Sequence, residues 1–453
     1  MHRRTLLLES MVLLAGCAPR PGGSEFFASD SDTADAGEET GIAPSPDAAP
    51  PPQPPPPTPP PPAPICSIAG GTDAAARALV ASDTAFALAF YGPAAEEAGA
   101  GPNVVLSPYS VSATLTMLDV GAAGETDTQL RTVLSLPDNG ATVAPSYASV
   151  ACTDETDGAW TGDQLSIANA VWGQRSMAFL PAFTSTLSSG FDAPLQTVDF
   201  ASDPAAAASA INAWVSGQTA GLIPSLFGPG DLDAKTVLVL VDALYFKGTW
   251  QNGFSTALTQ PRSFTLSDGT QVQVPTMTGM VSLGIGTVKT ASLAVYELPY
   301  MGGALAMDFL VPQTSLASLE TALTPALLAE ATGSLAPSQP AQLYLPKFSF
   351  GTRLVLNDVL AGMGMPDAFD SATANFSGMD GDTDIFVQTV VHQAFVEVDE
   401  EGTVAAAATG ESNGGALFSP PTIAIASPFL FLIRDTHNGS LLFMGRVEDP
   451  RGS

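Results

Sequence analysis

Residues 236–246 (TVLVLVDALYF) are apolar at nearly every position, with Asp242 the main interruption. Such a run predicts a strand covered on both faces, in the middle of a large sheet. Residues 390–398 (VVHQAFVEV) are rich in Val and Phe and largely alternate apolar with polar, which also reads as a strand. That strand begins near residue 385. Shorter strand patterns recur at 103–106, 165–172, 272–274, 293–298, 304–311, 342–350, 422–425, 428–434 and 440–447. Helical spacing marks an Ala-rich stretch at 72–91, stopped by Gly92-Pro93. Ser107-Pro108 opens a second helix, with the serine as cap and the proline in the first turn. Helices are also predicted at 123–134, 180–190, 204–219 and 354–363. Helices come early and strands late, which is an α+β pattern. After Val398 two acids and a glycine lead into TVAAAAT, residues 403–409. By itself this tract reads as a helix, a low-complexity loop, or a loop small enough to become a strand.

The net charge of −30, with only 15 Lys and Arg among 453 residues, excludes a nucleic-acid partner, which needs clustered basic residues. It implies a soluble, self-repelling surface, and the protein is expected to be a monomer. The N-terminus reads as a targeting segment: a basic start at His2-Arg3-Arg4, a short apolar stretch interrupted by Glu9, then Leu14-Ala15-Gly16-Cys17. That ending resembles a bacterial lipobox, with Cys17 as the lipidated residue of an exported envelope or extracellular protein and residues 1–17 as its signal. Residues 18–64 are acidic and then dominated by proline, and such a run acts as a stiff spacer. A single domain is expected from residue 65 to 453. If Cys17 carries lipid, Cys66 and Cys152 remain as an even pair and a candidate disulfide. With three His and three Cys, no metal site is expected, and no cofactor.

Six segments, in order, carry a resemblance to a known family. They are residues 103–130 (NVVLSPYSVSATLTMLDVGAAGETDTQL), 211–226 (INAWVSGQTAGLIPSL), 242–250 (DALYFKGTW), 343–350 (LYLPKFSF), 392–409 (HQAFVEVDEEGTVAAAAT) and 428–450 (PFLFLIRDTHNGSLLFMGRVEDP). Together they resemble the serpins. The resemblance implies three β-sheets, about nine helices and an exposed reactive loop at about 400–421. It also implies a suicide mechanism: a serine protease cleaves the loop, forms an acyl-enzyme, and is trapped when the loop inserts as a new strand in the central sheet.

The residues of the loop suit that task. If Thr403 faces inward after insertion, so do Ala405, Ala407 and Thr409, all small and uncharged. Gly402 gives the pivot its freedom beside Glu400 and Glu401. Strict alternation would also bury Glu411 and Asn413, unless Gly410 allows a bulge. Family spacing places the scissile bond at Ala416–Leu417, or at Leu417–Phe418 when counted back from Pro428. Either suits an elastase-, subtilisin- or chymotrypsin-like protease, because no basic residue lies in 410–419. Ser107, Ser110, Asp242 and His392 match the family's gating cluster, with Asp242 where an asparagine is usual. An aspartate there is expected to favour a protonated His392 and so a pH-sensitive gate. Trp250 matches the tryptophan near the loop's entry point. No glycosaminoglycan partner is expected, since residues 125–150 contain only Arg131. A hydrolase is disfavoured by the scarcity of histidine. The rival within the family is a non-inhibitory serpin acting as a carrier, chaperone or surface protein.

Overall fold

The computed structural model describes residues 73–99, 103–156, 164–400 and 419–452. Six helices precede the central strand: α1 (Asp73–Glu97), α2 (Pro108–Asp119), α3 (Gly124–Leu134), α4 (Gly140–Thr156), α5 (Pro181–Phe191) and α6 (Pro204–Gln218). Four shorter helices follow at Leu316–Ala322, Pro325–Gly333, Asn357–Met363 and Ser377–Asp380. The strands are β1 (Val104–Leu106), β2 (Gln164–Gln174), β3 (Gln196–Val198), β4 (Leu238–Lys247), β5 (Gln260–Thr265), β6 (Gln271–Val288) and β7 (Leu293–Pro299). They continue with β8 (Leu305–Pro312), β9 (Gln339–Pro346), β10 (Phe348–Val355), β11 (Thr389–Val398), β12 (Thr422–Ala424), β13 (Phe429–Asp435) and β14 (Leu441–Val447).

Two sheets organise the chain. One has five strands in the order β10-β11-β4-β2-β3. The other has nine, in the order β1-β14-β13-β8-β7-β6-β9-β12 with β5 paired to β6. The 18-residue β6 joins two parts of the larger sheet: its C-terminal half pairs with β7 and its N-terminal half with β5 and β9. The three-sheet, α+β architecture is therefore present, with two of the three sheets continuous through one strand. As expected, the apolar run of β4 lies between β11 and β2, and residues 238–244 are buried at every position.

Several boundaries differ from the sequence reading. Helix α1 passes through Pro93 instead of ending at Gly92. The proline frees the carbonyl of Ala89, which is exposed, while Phe90, Tyr91, Ala94 and Ala95 hold the helix to the core. The single strand expected at 342–350 is two strands, and 272–274 is part of β6. Helix α4 was not predicted, because Pro145 and its Ser and Thr content mask the pattern. Its buried Val143, Ala144, Tyr147 and Ala148 follow helical spacing. Its first residue, Gly140, donates its backbone N–H to the buried Asp119 Oδ2 at 2.6 Å. Asp83 of α1 accepts from Ser112 Oγ of α2 at 2.6 Å and from Tyr147 Oη of α4 at 3.1 Å, so one buried carboxyl joins three helices.

Candidate functional site

Strands β4 and β11 are parallel neighbours at the centre of the five-stranded sheet, in register from Thr389↔Val239 to Val396↔Phe246. This places His392 beside Asp242, and the antiparallel β2–β4 pairing places Asn169 on the other side of Asp242. The three polar side chains form one row across three strands. The N-terminus of α2 lies against that row.

Each bond in this cluster follows from a specific donor. Ser107 caps α2, its Oγ accepting from the Ser110 N–H at 3.4 Å and donating to the Leu442 carbonyl of β14 at 2.6 Å. The Ser107 N–H donates to His392 Nε2 at 3.2 Å. Nε2 is therefore an acceptor, so the proton of the ring lies on Nδ1 and is donated to Asp242 Oδ1 at 2.6 Å. Ser110 Oγ donates to Asn169 Oδ1 at 2.5 Å, and Asn169 Nδ2 returns a bond to the Ser110 carbonyl at 3.3 Å. Ser107, Ser110, Asp242 and His392 are all fully buried. The structure brings these four predicted residues together and adds Asn169, which the sequence reading missed. Its only local signal is a polar residue in an apolar strand; the β2–β4 register reveals its role.

A second group sits at the C-terminal end of β11. Trp250 Nε1 donates to the Asp399 carbonyl at 3.0 Å, and its ring stacks on Tyr300 with centroids 4.5 Å apart. Gly248 permits this packing, since a Cβ there would lie 2.4 Å from the Tyr300 ring. Glu400 is 6% exposed. Its Oε1 accepts from Thr259 Oγ1 and its Oε2 meets Lys347 Nζ, both at 2.5 Å. Burial pushes the Glu400 carboxyl up, but the Lys347 and Thr259 bonds outweigh it and hold the group below its ordinary value. Lys347 and Thr259 were not among the predicted site residues, although Lys347 lies in the quoted LYLPKFSF segment.

Beyond Glu400 the chain must reach β12, which begins at Thr422. The candidate hinge residues Glu401, Gly402, Thr403, Ala405, Ala407 and Thr409, and the candidate reactive bond at Ala416, Leu417 or Phe418, lie outside the described residues. So do Cys17, Cys66 and the side chain of Cys152. Among the described residues no group of His, Cys, Asp and Glu is placed to hold a metal ion.

The comparisons agree with this geometry. A family model described as Serpin (serine protease inhibitor) matches residues 81–450. A leukocyte elastase inhibitor of Bos taurus is 36% identical over 381 residues, covering 82% of this chain and 99% of that protein. Serpin B11 of Homo sapiens is 35% identical over 373 residues, covering 77% of this chain and 94% of that protein. The crystal structure of native protease nexin-1 with heparin superposes with a TM-score of 0.73 at 28% identity, covering 83% of this chain and 100% of that one. The chain belongs to the serpin family, a family of serine protease inhibitors and not of enzymes.

Proposed function

We propose that this serpin is a suicide-substrate inhibitor of serine endopeptidases with elastase-, subtilisin- or chymotrypsin-like specificity. The observation that carries the reading is the parallel β4–β11 seam, with the segment that follows Glu400 leaving from the end of β11. A chain that turns back there runs antiparallel to β11, and so to β4 as well. Its insertion replaces one parallel ladder with two antiparallel ones, which pair slightly better per residue. Every second residue of TVAAAAT would then be buried, and none of those is large or charged. The leukocyte elastase inhibitors among the relatives support an apolar cleavage site, as do Ala416, Leu417 and Phe418. Helix α4 carries no Lys or Arg, so the reading includes no glycosaminoglycan. The N-terminal segment fits a lipid anchor on Cys17 with residues 18–64 as spacer, which would present the inhibitor at a membrane surface.

The test mixes the protein with pancreatic elastase, chymotrypsin and subtilisin. The expected result is a band resistant to SDS and heat, with the released C-terminal peptide beginning at Leu417 or Phe418. Clean cleavage with no complex and no gain in thermal stability would favour the carrier or surface role instead.

A further inference from the structure

The connection from α6 to β4, residues 219–237, crosses the outer face of the seam and is tied to both sides of it. Ile211 and Val215 of α6 share an apolar cluster with Val241 of β4 and Val391 of β11, and Leu226 and Phe227 of the connection belong to the same cluster. Asn212 of α6 grips this connection: its Oδ1 accepts from the Leu226 and Phe227 N–H groups, both at 2.8 Å, and its Nδ2 donates to the Phe227 carbonyl at 2.8 Å. The opposite attachment comes from β10, which lies beyond β11. Arg353 Nε donates to the Leu226 carbonyl at 2.8 Å, and Nη2 donates to Asp231 Oδ2 at 3.0 Å. Arg353 points to this face because it pairs with Gln393, which is in register with Ala243, another member of the cluster. The connection therefore leaves α6, passes over the β4–β11 seam to β10, and returns to enter β4 at Leu238.

We infer that Arg353 is a positioning residue that brakes strand insertion by clasping the seam from outside. The inference rests on the insertion reading above. Residue Leu226 is held through its N–H by α6, which packs on β2, and through its carbonyl by β10. A new strand between β4 and β11 moves these two halves of the sheet apart by roughly 4.8 Å. Hydrogen bonds reach only to about 3.2 Å, so the two attachments do not both survive that displacement. The weaker one opens first. Asn212 makes three bonds to partly buried backbone, whereas the Arg353–Asp231 pair is 36% and 41% exposed, and exposed ion pairs hold weakly. The clasp at Arg353 is thus the one that releases.

The test offers the full-length protein a synthetic peptide of residues 403–416 and follows uptake by native gel and tryptophan fluorescence. Arg353→Ala is expected to take up peptide ~3- to 10-fold faster than wild type. Arg353→Lys, which lacks the planar fork, should fall between them. Once the loop is cleaved, wild type and Arg353→Ala should melt at the same temperature, because the clasp is already open. Equal uptake rates would overturn the brake while leaving insertion intact. An equal loss of thermal stability in the uncleaved and cleaved forms would show that Arg353 is merely structural, and would also overturn it. If wild type takes up no peptide and gains no stability on loop cleavage, the insertion reading fails and the brake fails with it.

Discussion

Asp83 shows how one buried side chain sets a pH response. Burial pushes its carboxyl to about 7 from an ordinary 3.8, against the pull of the Ser112 and Tyr147 hydrogen bonds. A folded-state value above the unfolded one means the folded protein binds the proton more tightly. The resulting stability is complete below about 3.8 and is lost as pH rises through about 7. Asp83→Asn mimics the protonated form, so its stability relative to wild type should increase by ~2 to 3 kcal/mol between about pH 5 and about pH 8.5. Urea unfolding of both proteins at the two pH values checks this. Asp119 is also raised to about 7 by burial and will contribute a similar slope in both proteins. In the gating cluster, Asn169→Ala leaves the buried Ser110 hydroxyl without its acceptor. A loss of ~1 to 3 kcal/mol in urea unfolding is expected. The serines, His392 and Asp242 were legible in the sequence because they sit in recognisable segments. The tautomer of His392 was not, because it depends on the Ser107 N–H, a backbone group 285 positions away.

At the scale of elements, local pattern located most strands and helices but misjudged where they stop. Pro93 was read as a terminator, yet tertiary contacts on the buried side of α1 carry the helix past it. Residues 342–350 read as one strand, but β9 pairs with β6 whereas β10 pairs with β11, so the chain changes sheets near Lys347. That corner has a consequence, since Lys347 there meets Glu400 at the end of β11. Glu400 ends the described part of β11's continuation, and its bonds to Lys347 and Thr259 fasten the root of the loop. Glu400→Gln removes the charge and should weaken this attachment by ~1 to 2 kcal/mol. Limited proteolysis of the segment after Glu400 should then become several-fold faster in the variant. Because the Glu400 carboxyl is held below its ordinary value, the attachment is present at neutral pH and is lost as pH falls through the folded-state value.

For the whole molecule, the decisive feature is a parallel pairing between segments whose facing side chains, Asp242 and His392, are 150 positions apart. If the loop enters that seam, a charge on its inward row must be buried between sheet and helices. Ala407→Glu is therefore expected to turn the inhibitor into a substrate: elastase cleaves it with little SDS-stable complex, and the cleaved form gains less thermal stability than cleaved wild type. Equal complex formation by the variant and wild type would show that this position does not enter the sheet. The sequence by itself determined the α+β class, the central apolar strand, the Ser107 cap, and a loop of small uncharged residues. These are readable locally, because apolar periodicity, capping and side-chain size act over a few neighbouring residues. Only the tertiary structure decided that β4 lies against β11, that Asn169 completes the row beside Asp242, and that Arg353 reaches over the seam to Leu226. Those contacts depend on strand order and register, which arise from packing segments far apart in the sequence against one another.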